Sequence, residues 1–556
     1  MLRNINLNLQ DMEPENAQRG RPSVARNAGI VSVAVMASRV LGLVRDQVFA
    51  VLFGAGLQYD AFLTAFRIPN LLRDLFAEGA LSAAFVTTFT QVQETKGEQE
   101  AFRLSNRVAT ALMLLLGVIC IVGWIFAPSI VYLLAPGFFD VPGKADLTIH
   151  LTRIMIPFLL LIALAAKAMG ILNARHNFAV PAIAPVFFNL GSVLGGLFLG
   201  FAVGTYLGLR PIEGMAFGTL VGGFLQFAVQ WPSLRRAGFR YRPMLSFTDP
   251  GVRQIMRLMG PAIIGTAAVQ INVFVNTNFA SSIIDPATGV VANGPVSWLS
   301  YAFRFMQFPI GVFGVAIATA TLPPLSRSMA RQDYSEFRQT LGHALTLVFL
   351  LCVPSAVGLA VLGRPIVALI FEHGRFTAFD TVQTGNALAA YSIGLAGYAA
   401  VKVLSPAFYA LGDARTPMLI SLVSIAVNYV INALLVGPFG HVGLAFSTST
   451  VALVNFILLA LFMRRRIGRL EGKRLGRALV RICVASVPMA VVAWLVSEFC
   501  ASLPLSGIML KLVNVVASIT LATMVFYAGC RMLRIEELDE AIEAVGGRFR
   551  RVMRRK

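Results

Sequence analysis

The chain has 556 residues, of which 57% are apolar and 13% charged, with a formal net charge of +20 and a mean hydropathy of +0.73. A soluble protein carries about 25% charged residues, so a soluble multidomain enzyme, a disordered chain, a collagenous fibre and a disulfide scaffold are all excluded. What remains is an all-α polytopic membrane protein, and at roughly 20 apolar residues per crossing this length holds about fourteen transmembrane helices.

Residues 1–27 are polar and mixed in charge, lack a signal-peptide pattern, and are expected to form a tail. Apolar runs of helical length then predict segments 1–7 near 28–53, 60–93, 103–134, 146–174, 180–206, 212–237 and 251–283. Segments 8–14 follow near 295–326, 335–362, 378–411, 416–436, 441–466, 475–499 and 507–533. Several exceed the bilayer span and contain Pro or Gly, which predicts tilts and kinks. None shows the ten-residue alternation of a membrane barrel.

The loops after even-numbered segments hold most of the Lys and Arg, as in Arg235-Arg236 with Arg240 and Arg242, and Arg464-Arg465-Arg466. The loops over 285–295 and 436–442 hold none. By the positive-inside rule both termini are cytoplasmic. This distribution also accounts for the basic balance without nucleic acid. The cysteines (Cys120, Cys352, Cys483, Cys500, Cys530) and histidines stand singly, so no metal or disulfide framework is encoded. Gly143-Lys144-Ala145 is no phosphate-binding loop, and HExxH and GxSxG are missing. The chain is therefore expected not to be an enzyme and to need no cofactor.

A weak repeat runs through the first twelve segments. Ala65-Phe66-Arg67 recurs as Ala302-Phe303-Arg304 at an offset of 237, and Lys167 and Pro181 recur as Lys402 and Pro417. Six crossings per repeat give two lobes of like orientation related by a pseudo-two-fold axis along the membrane normal. The expected organisation is a tail at 1–27, one lobe at 28–237, a second at 238–466, two extra helices at 467–533 and a basic tail at 534–556.

Ionisable residues inside apolar runs cost several kcal/mol unless paired or wet, and so point to function. Segment 1 carries Arg39, Arg45 and Asp46, with Arg39 and Asp46 on one face. Segment 2 carries Asp60, Arg67, Arg73, Asp74 and Glu78, of which Arg67, Asp74 and Glu78 form one stripe. Lys167, Arg304 and Lys402 lie in segments 4, 8 and 10 without obvious local partners. Structural pairing or snorkelling is the plain alternative, chiefly for Arg67, Asp74 and Lys167. An excess of arginine in a cavity selects an anion, because guanidinium stays charged and bonds phosphate bidentately. Asn272 and Asn276 on segment 7, with Asn428 and Asn432 on segment 11, either bond between helices or coordinate a cation; the first is favoured.

These residues and their neighbours resemble the MurJ (MviN) lipid II flippase family of the MOP transporter superfamily, over roughly residues 28–535. The resemblance rests on Ser38-Arg39-Val40-Leu41-Gly42 with Arg45-Asp46, Asp60-Ala61-Phe62, Pro69-Asn70-Leu71-Leu72-Arg73 and Phe76-Ala77-Glu78-Gly79-Ala80. It continues in Ala135-Pro136-Gly137-Phe138, Phe308-Pro309, Phe376-Thr377-Ala378-Phe379-Asp380, Val401-Lys402-Val403-Leu404 and Thr416-Pro417.

The resemblance implies fourteen helices in two lobes around a cationic central cavity. It implies outward movement of undecaprenyl-pyrophosphate-linked peptidoglycan precursor (lipid II) across the bacterial inner membrane by alternating access. Arg39, Arg45, Arg73 and Arg304 match the substrate-binding arginines, and Asp60 and Glu78 supporting or gating positions; Asp46 and Lys402 are expected to give gating or ion-pair support beside them. Segments 13 and 14 match a groove for the lipid tail. Membrane lipids and cell-wall synthesis proteins are the implied partners. Two departures stand out. Phe303 replaces an Asp before the arginine matching Arg304. Asparagines stand near the places where some members bind sodium through carboxylates, which favours coupling to membrane potential or protons. The alternative cargo is another polyprenyl-linked oligosaccharide, such as an O-antigen unit.

Overall fold

The computed structural model describes residues 21–75, 82–246, 248–468, 472–504, 507–535 and 537–539. In chain order its helices are α1 (Arg21–Phe53), α2 (Leu57–Arg73), α3 (Ser82–Lys96), α4 (Glu98–Ile125), α5 (Ala127–Leu134), α6 (Lys144–Met155), α7 (Phe158–Ala174), α8 (Ala179–Leu197), α9 (Gly204–Leu207) and α10 (Pro211–Ala228). They continue as α11 (Trp231–Arg236), α12 (Pro250–Ser281), α13 (Pro295–Pro309), α14 (Val315–Ala330), α15 (Tyr334–Phe371), α16 (Ala378–Ser392), α17 (Leu395–Ala410), α18 (Arg415–Ile467), α19 (Gly472–Ala501) and α20 (Gly507–Met532). Among the described residues the only β pairing is an isolated bridge between Ile284 and Val291. Among the described residues nine helical runs are long and apolar enough to cross a membrane, ten counting α16 with α17, which meet at a 45° bend.

The breaks fall where the sequence places helix-disrupting residues. Pro128 and Pro157 stand at the divisions of α4 from α5 and α6 from α7. Single π turns at Phe198–Ala202 and Ile310–Gly314 interrupt segments 5 and 8. Segments 11 and 12 form one helical run, α18, broken at Gly440 (φ 54°, ψ −133°) just after Pro438. Only glycine accepts that backbone without strain. Two helix starts carry clear side-chain caps: Asp333 accepts from the amides of Ser335 and Glu336 at 2.9 and 3.0 Å, and Thr377 and Asp380 form a reciprocal capping box.

The chain divides into two compact units that alternate along the sequence. Unit 1 is Met1–Arg45, Pro69–Trp124 and Ile154–Ile263; unit 2 is Asp46–Ile68, Ile125–Arg153 and Ile264–Lys556. The dividing points fall inside α1, α2 and α12 and at or beside the ends of α4 and α6. The repeat-based lobes and these contact-based units thus differ in the first four segments and in segment 7, whose first part belongs to unit 1.

Unit 1 has an apolar core of Phe85, Phe89, Leu104, Leu116, Leu159, Ile171 and their neighbours. Its α8 and α10 approach closely through glycines: a methyl group on Gly218 would stand 2.5 Å from the Cα of Gly196. Small residues let backbones pack in a membrane, where no hydrophobic drive joins helices. Unit 2 is centred on buried rings, with Phe49 against Phe62 (4.6 Å), Tyr59 against Tyr301 (5.0 Å) and Tyr301 against Phe371 (4.6 Å). In the same unit α19 and α20 pack on α15 through Leu362, Met489, Ala493 and Ala522. Lys511 of α20 also reaches Glu372 at 3.2 Å.

Candidate functional site

The most completely buried charges belong to unit 2. Asp60, in the first turn of α2, and Lys144, opening α6, both have fully buried side chains and meet at 2.9 Å. The Asp60 carboxylate also accepts from the amides of Gly294 (2.8 Å) and Ser297 (2.9 Å) and from the Ser297 hydroxyl (2.6 Å). These donors are the N-terminal groups of α13, so one carboxylate caps a helix remote in sequence and complements its dipole. Lys144 donates also to Asn293 Oδ1 at 2.9 Å and lies 4.1 Å from the Phe138 ring centroid. The carboxylate thus accepts four hydrogen bonds and the ammonium donates two beside an aromatic ring, the kind of satisfaction under which a buried ion pair is tolerated. Asp60 was expected at a supporting position. Lys144 was not, because its tripeptide was read only as a failed nucleotide motif.

A second pair lies in the same unit. Arg304 Nε of α13 donates to Asp46 Oδ2 at 2.6 Å; the Asp46 side chain is 8% exposed and that of Arg304 41%. Asp46 shares a helix face with Arg39, yet its partner here is 258 residues away. Arg304 therefore has the carboxylate partner that the sequence did not reveal. The side chain is intermediate in exposure and its bond to Asp46 uses only Nε, which leaves donors for a further anion.

The other arginines belong to unit 1. Arg39 is exposed on α1, and no hydrogen bond or ion pair engages it among the described residues. Arg45 lies over the Phe188 ring at 5.7 Å. Arg73 closes α2 and bonds its neighbour Asp74 through Nε (3.1 Å) and Nη2 (2.9 Å). The expected stripe of Arg67, Asp74 and Glu78 is thus divided: Arg67 bonds Thr277 within unit 2, Asp74 holds Arg73, and Glu78 lies outside the described residues. Lys402 is exposed on α17. Its repeat partner Lys167 is buried in unit 1, donating to Ser105 Oγ at 2.8 Å with Phe239 and Phe85 at 4.7 and 5.7 Å.

The asparagines form a cluster in unit 2. Asn428 Nδ2 donates to Asn272 Oδ1 (3.1 Å) and Asn276 Oδ1 (3.0 Å), and Asn432 Nδ2 donates to Asn276 Oδ1 (2.8 Å). Asn276 Nδ2 reaches Thr448 Oγ1 at 3.2 Å, and the Ser447 hydroxyl reaches Asn428 Oδ1 at 3.2 Å.

These features can be set beside known proteins. The profile described as "Lipid II flippase MurJ" matches residues 49–514. The chain belongs to the MurJ family. Relatives include the lipid II flippase MurJ of Burkholderia cenocepacia, 36% identical over 440 residues, covering 78% of this chain and 83% of the relative. The probable lipid II flippase MurJ of Buchnera aphidicola is 31% identical, covering 90% and 97%. A solved lipid II flippase MurJ in an inward closed conformation superposes with a TM-score of 0.73 at 26% identity, covering 90% of this chain and 99% of that one. An inward-facing multidrug resistance MATE transporter of the MOP superfamily gives 0.65 at 16% identity, covering 80% and 99%, and so shares the fold. As a MurJ-family protein, the chain is a multi-pass membrane transporter.

Proposed function

We propose that this chain is a lipid II flippase, carrying undecaprenyl-pyrophosphate-linked peptidoglycan precursor from the inner to the outer leaflet of the bacterial cytoplasmic membrane. The observation that carries this reading is the family match over residues 49–514. In this reading both termini are cytoplasmic and the chain performs no covalent chemistry. The long lipid tail runs along the apolar faces of α19 and α20, where Val484, Val487, Trp494, Leu512 and Val516 are exposed. Enzymes that consume lipid II at the outer leaflet are its natural partners.

Arg39, Arg45, Arg73 and Arg304 are proposed to hold the pyrophosphate. Asp46 then serves as an internal anion that holds Arg304 while no substrate is bound. A pyrophosphate competes for the same guanidinium with more charge and more acceptor atoms. Substrate can shift the conformational balance only if it binds one state better than the other, and release of Arg304 from Asp46 supplies such a difference. Asp60 with Lys144 is the proposed support for the starts of α2 and α13 while this exchange occurs.

The test is complementation of a bacterium depleted of its own flippase, counting lipid-linked precursor at the outer leaflet. The wild-type chain restores exposure, and membrane-inserted Arg304→Ala does not. Restoration by both would remove Arg304 from the site, whereas failure of the inserted wild type would turn attention to another polyprenyl-linked glycan.

A further inference from the structure

The asparagine cluster joins three membrane segments: α12 through Asn272 and Asn276, the first part of α18 through Asn428 and Asn432, and its second part, beyond the Gly440 break, through Ser447 and Thr448. Asn428 and Asn432 are 2% and 0% exposed, and Ser447 and Thr448 0% and 7%. A hard cation needs a shell of oxygens, and one buried away from water needs an opposite charge. The cluster offers neither. The Asn272 and Asn276 oxygens each accept an amide N–H, and the Asn428 oxygen accepts the Ser447 hydroxyl. Asn432 Oδ1 is the single cluster oxygen without a partner among the described residues, and one oxygen is not a coordination shell. Among the described residues no hydrogen bond of the cluster involves a carboxylate, and no group of three or more acidic, Cys or His side chains could hold a metal.

We infer that this cluster is an uncharged amide clasp, in which N–H donors occupy the place a cation would take, and that the chain works without sodium. The clasp ties α12 to both parts of α18 in every ionic condition. Substituting aspartate creates the missing requirement. In Asn432→Asp the nitrogen that donates to Asn276 becomes a carboxylate oxygen facing another oxygen at the 2.8 Å contact, a repulsion that a bound cation relieves.

The full-length protein, purified in detergent, is melted in sodium chloride and in choline chloride at equal ionic strength. The wild type melts at the same temperature in both, within about 1 °C, whereas Asn432→Asp gains a sodium-specific rise of about 3 °C or more, as ligand linkage requires. Should that variant fail to insert, Asn272→Asp at the half-buried rim replaces it with the same expectation. A sodium-specific rise in the wild type that Asn432→Ala abolishes overturns the inference, as does an inserted aspartate variant indifferent to sodium. The readout involves no lipid substrate, so it stands or falls separately from the flippase reading.

Discussion

Asp60 and Ser297 are joined by two hydrogen bonds, of 2.9 Å from the serine amide and 2.6 Å from its hydroxyl, and they are separated by the same 237 residues that separate Arg67 from Arg304. The bond therefore connects equivalent positions of the internal repeat. At this point α2 and α13 start side by side, with Tyr59 stacked on Tyr301, and Lys144 neutralises the carboxylate that only one of the two helices carries.

Removing one member of a fully buried pair leaves its partner's charge uncompensated, at a cost of about 3–5 kcal/mol. Lys144→Ala is therefore expected to lower the melting temperature sharply and reduce membrane yield. The double variant Asp60→Asn with Lys144→Met should recover more than half of that loss, since no charge remains to be buried. Thermal melting of the three proteins in one detergent checks this.

The half-open pair of Asp46 with Arg304 calls for a different result. Asp46→Asn should keep the protein inserted but slow precursor exposure about tenfold or more, the kinetic equivalent of one charged hydrogen bond. Exchanging the two residues, Asp46→Arg with Arg304→Asp, should restore melting without restoring transport, because the guanidinium then projects from the wrong helix. Transport by the exchanged pair would reduce the contact to a structural one.

Lys167 offers a contrast, because its partners are a hydroxyl and two rings in an apolar core. Lys167→Met removes a buried charge while filling most of the space, and should melt within about 1.5 kcal/mol of wild type. Lys167→Ala should cost about 2–5 kcal/mol through the cavity it leaves. Equal losses in the two variants would show instead that the ammonium itself is needed.

Acid sensitivity is expected at the start of α18. Asp413 lies before that helix, and the Thr416 hydroxyl (2.7 Å) and Thr416 amide (3.0 Å) hold its carboxyl below the ordinary value. A depressed folded-state value means that its contribution is complete above the unfolded value and is lost as pH falls through the folded one. The difference in melting temperature between wild type and Asp413→Ala should therefore shrink on acidification below about pH 4. At neutral pH the gap reflects a partly exposed carboxylate bonded to the first turn of α18, worth at most about 1 kcal/mol.

The order of helices was legible because apolar runs and prolines are local signals: the Gly440 break lies between two expected segments, and those near Pro128 and Pro157 are kinks inside segments 3 and 4. Asp60 was legible as an acid inside an apolar stretch. Lys144 was not, since it opens a helix after a turn and its importance comes only from where that helix packs. The repeat offset, applied to Asp60, would have named Ser297 directly. The partner of Asp46 was hidden for a related reason: helix periodicity ranks neighbours on one helix, and Arg304 is on another. Bonding between the asparagines of segments 7 and 11 was the favoured sequence expectation, and the hydrogen bonds are of that kind. The substrate roles of the four arginines rest on the family resemblance, because charge in an apolar segment marks a residue without saying what it holds.

Two of the chain's dividing points between its compact units, those inside α2 and α12, lie beside defects in the hydrogen-bond ladder. Pro69 follows one such point directly, inside α2, and Pro261 lies three residues before another, inside α12. A proline has no N–H, so the carbonyls of Ala65 and Arg257 lose their customary helical donors. Flexing α2 or α12 there requires no further backbone bond to break, and the compliance of both helices is written into their covalent structure. Pro69→Ala and Pro261→Ala should stiffen these joints, protect the amides around them from deuterium exchange, and slow turnover while raising thermal stability. Unchanged exchange at those amides would make the prolines incidental to bending.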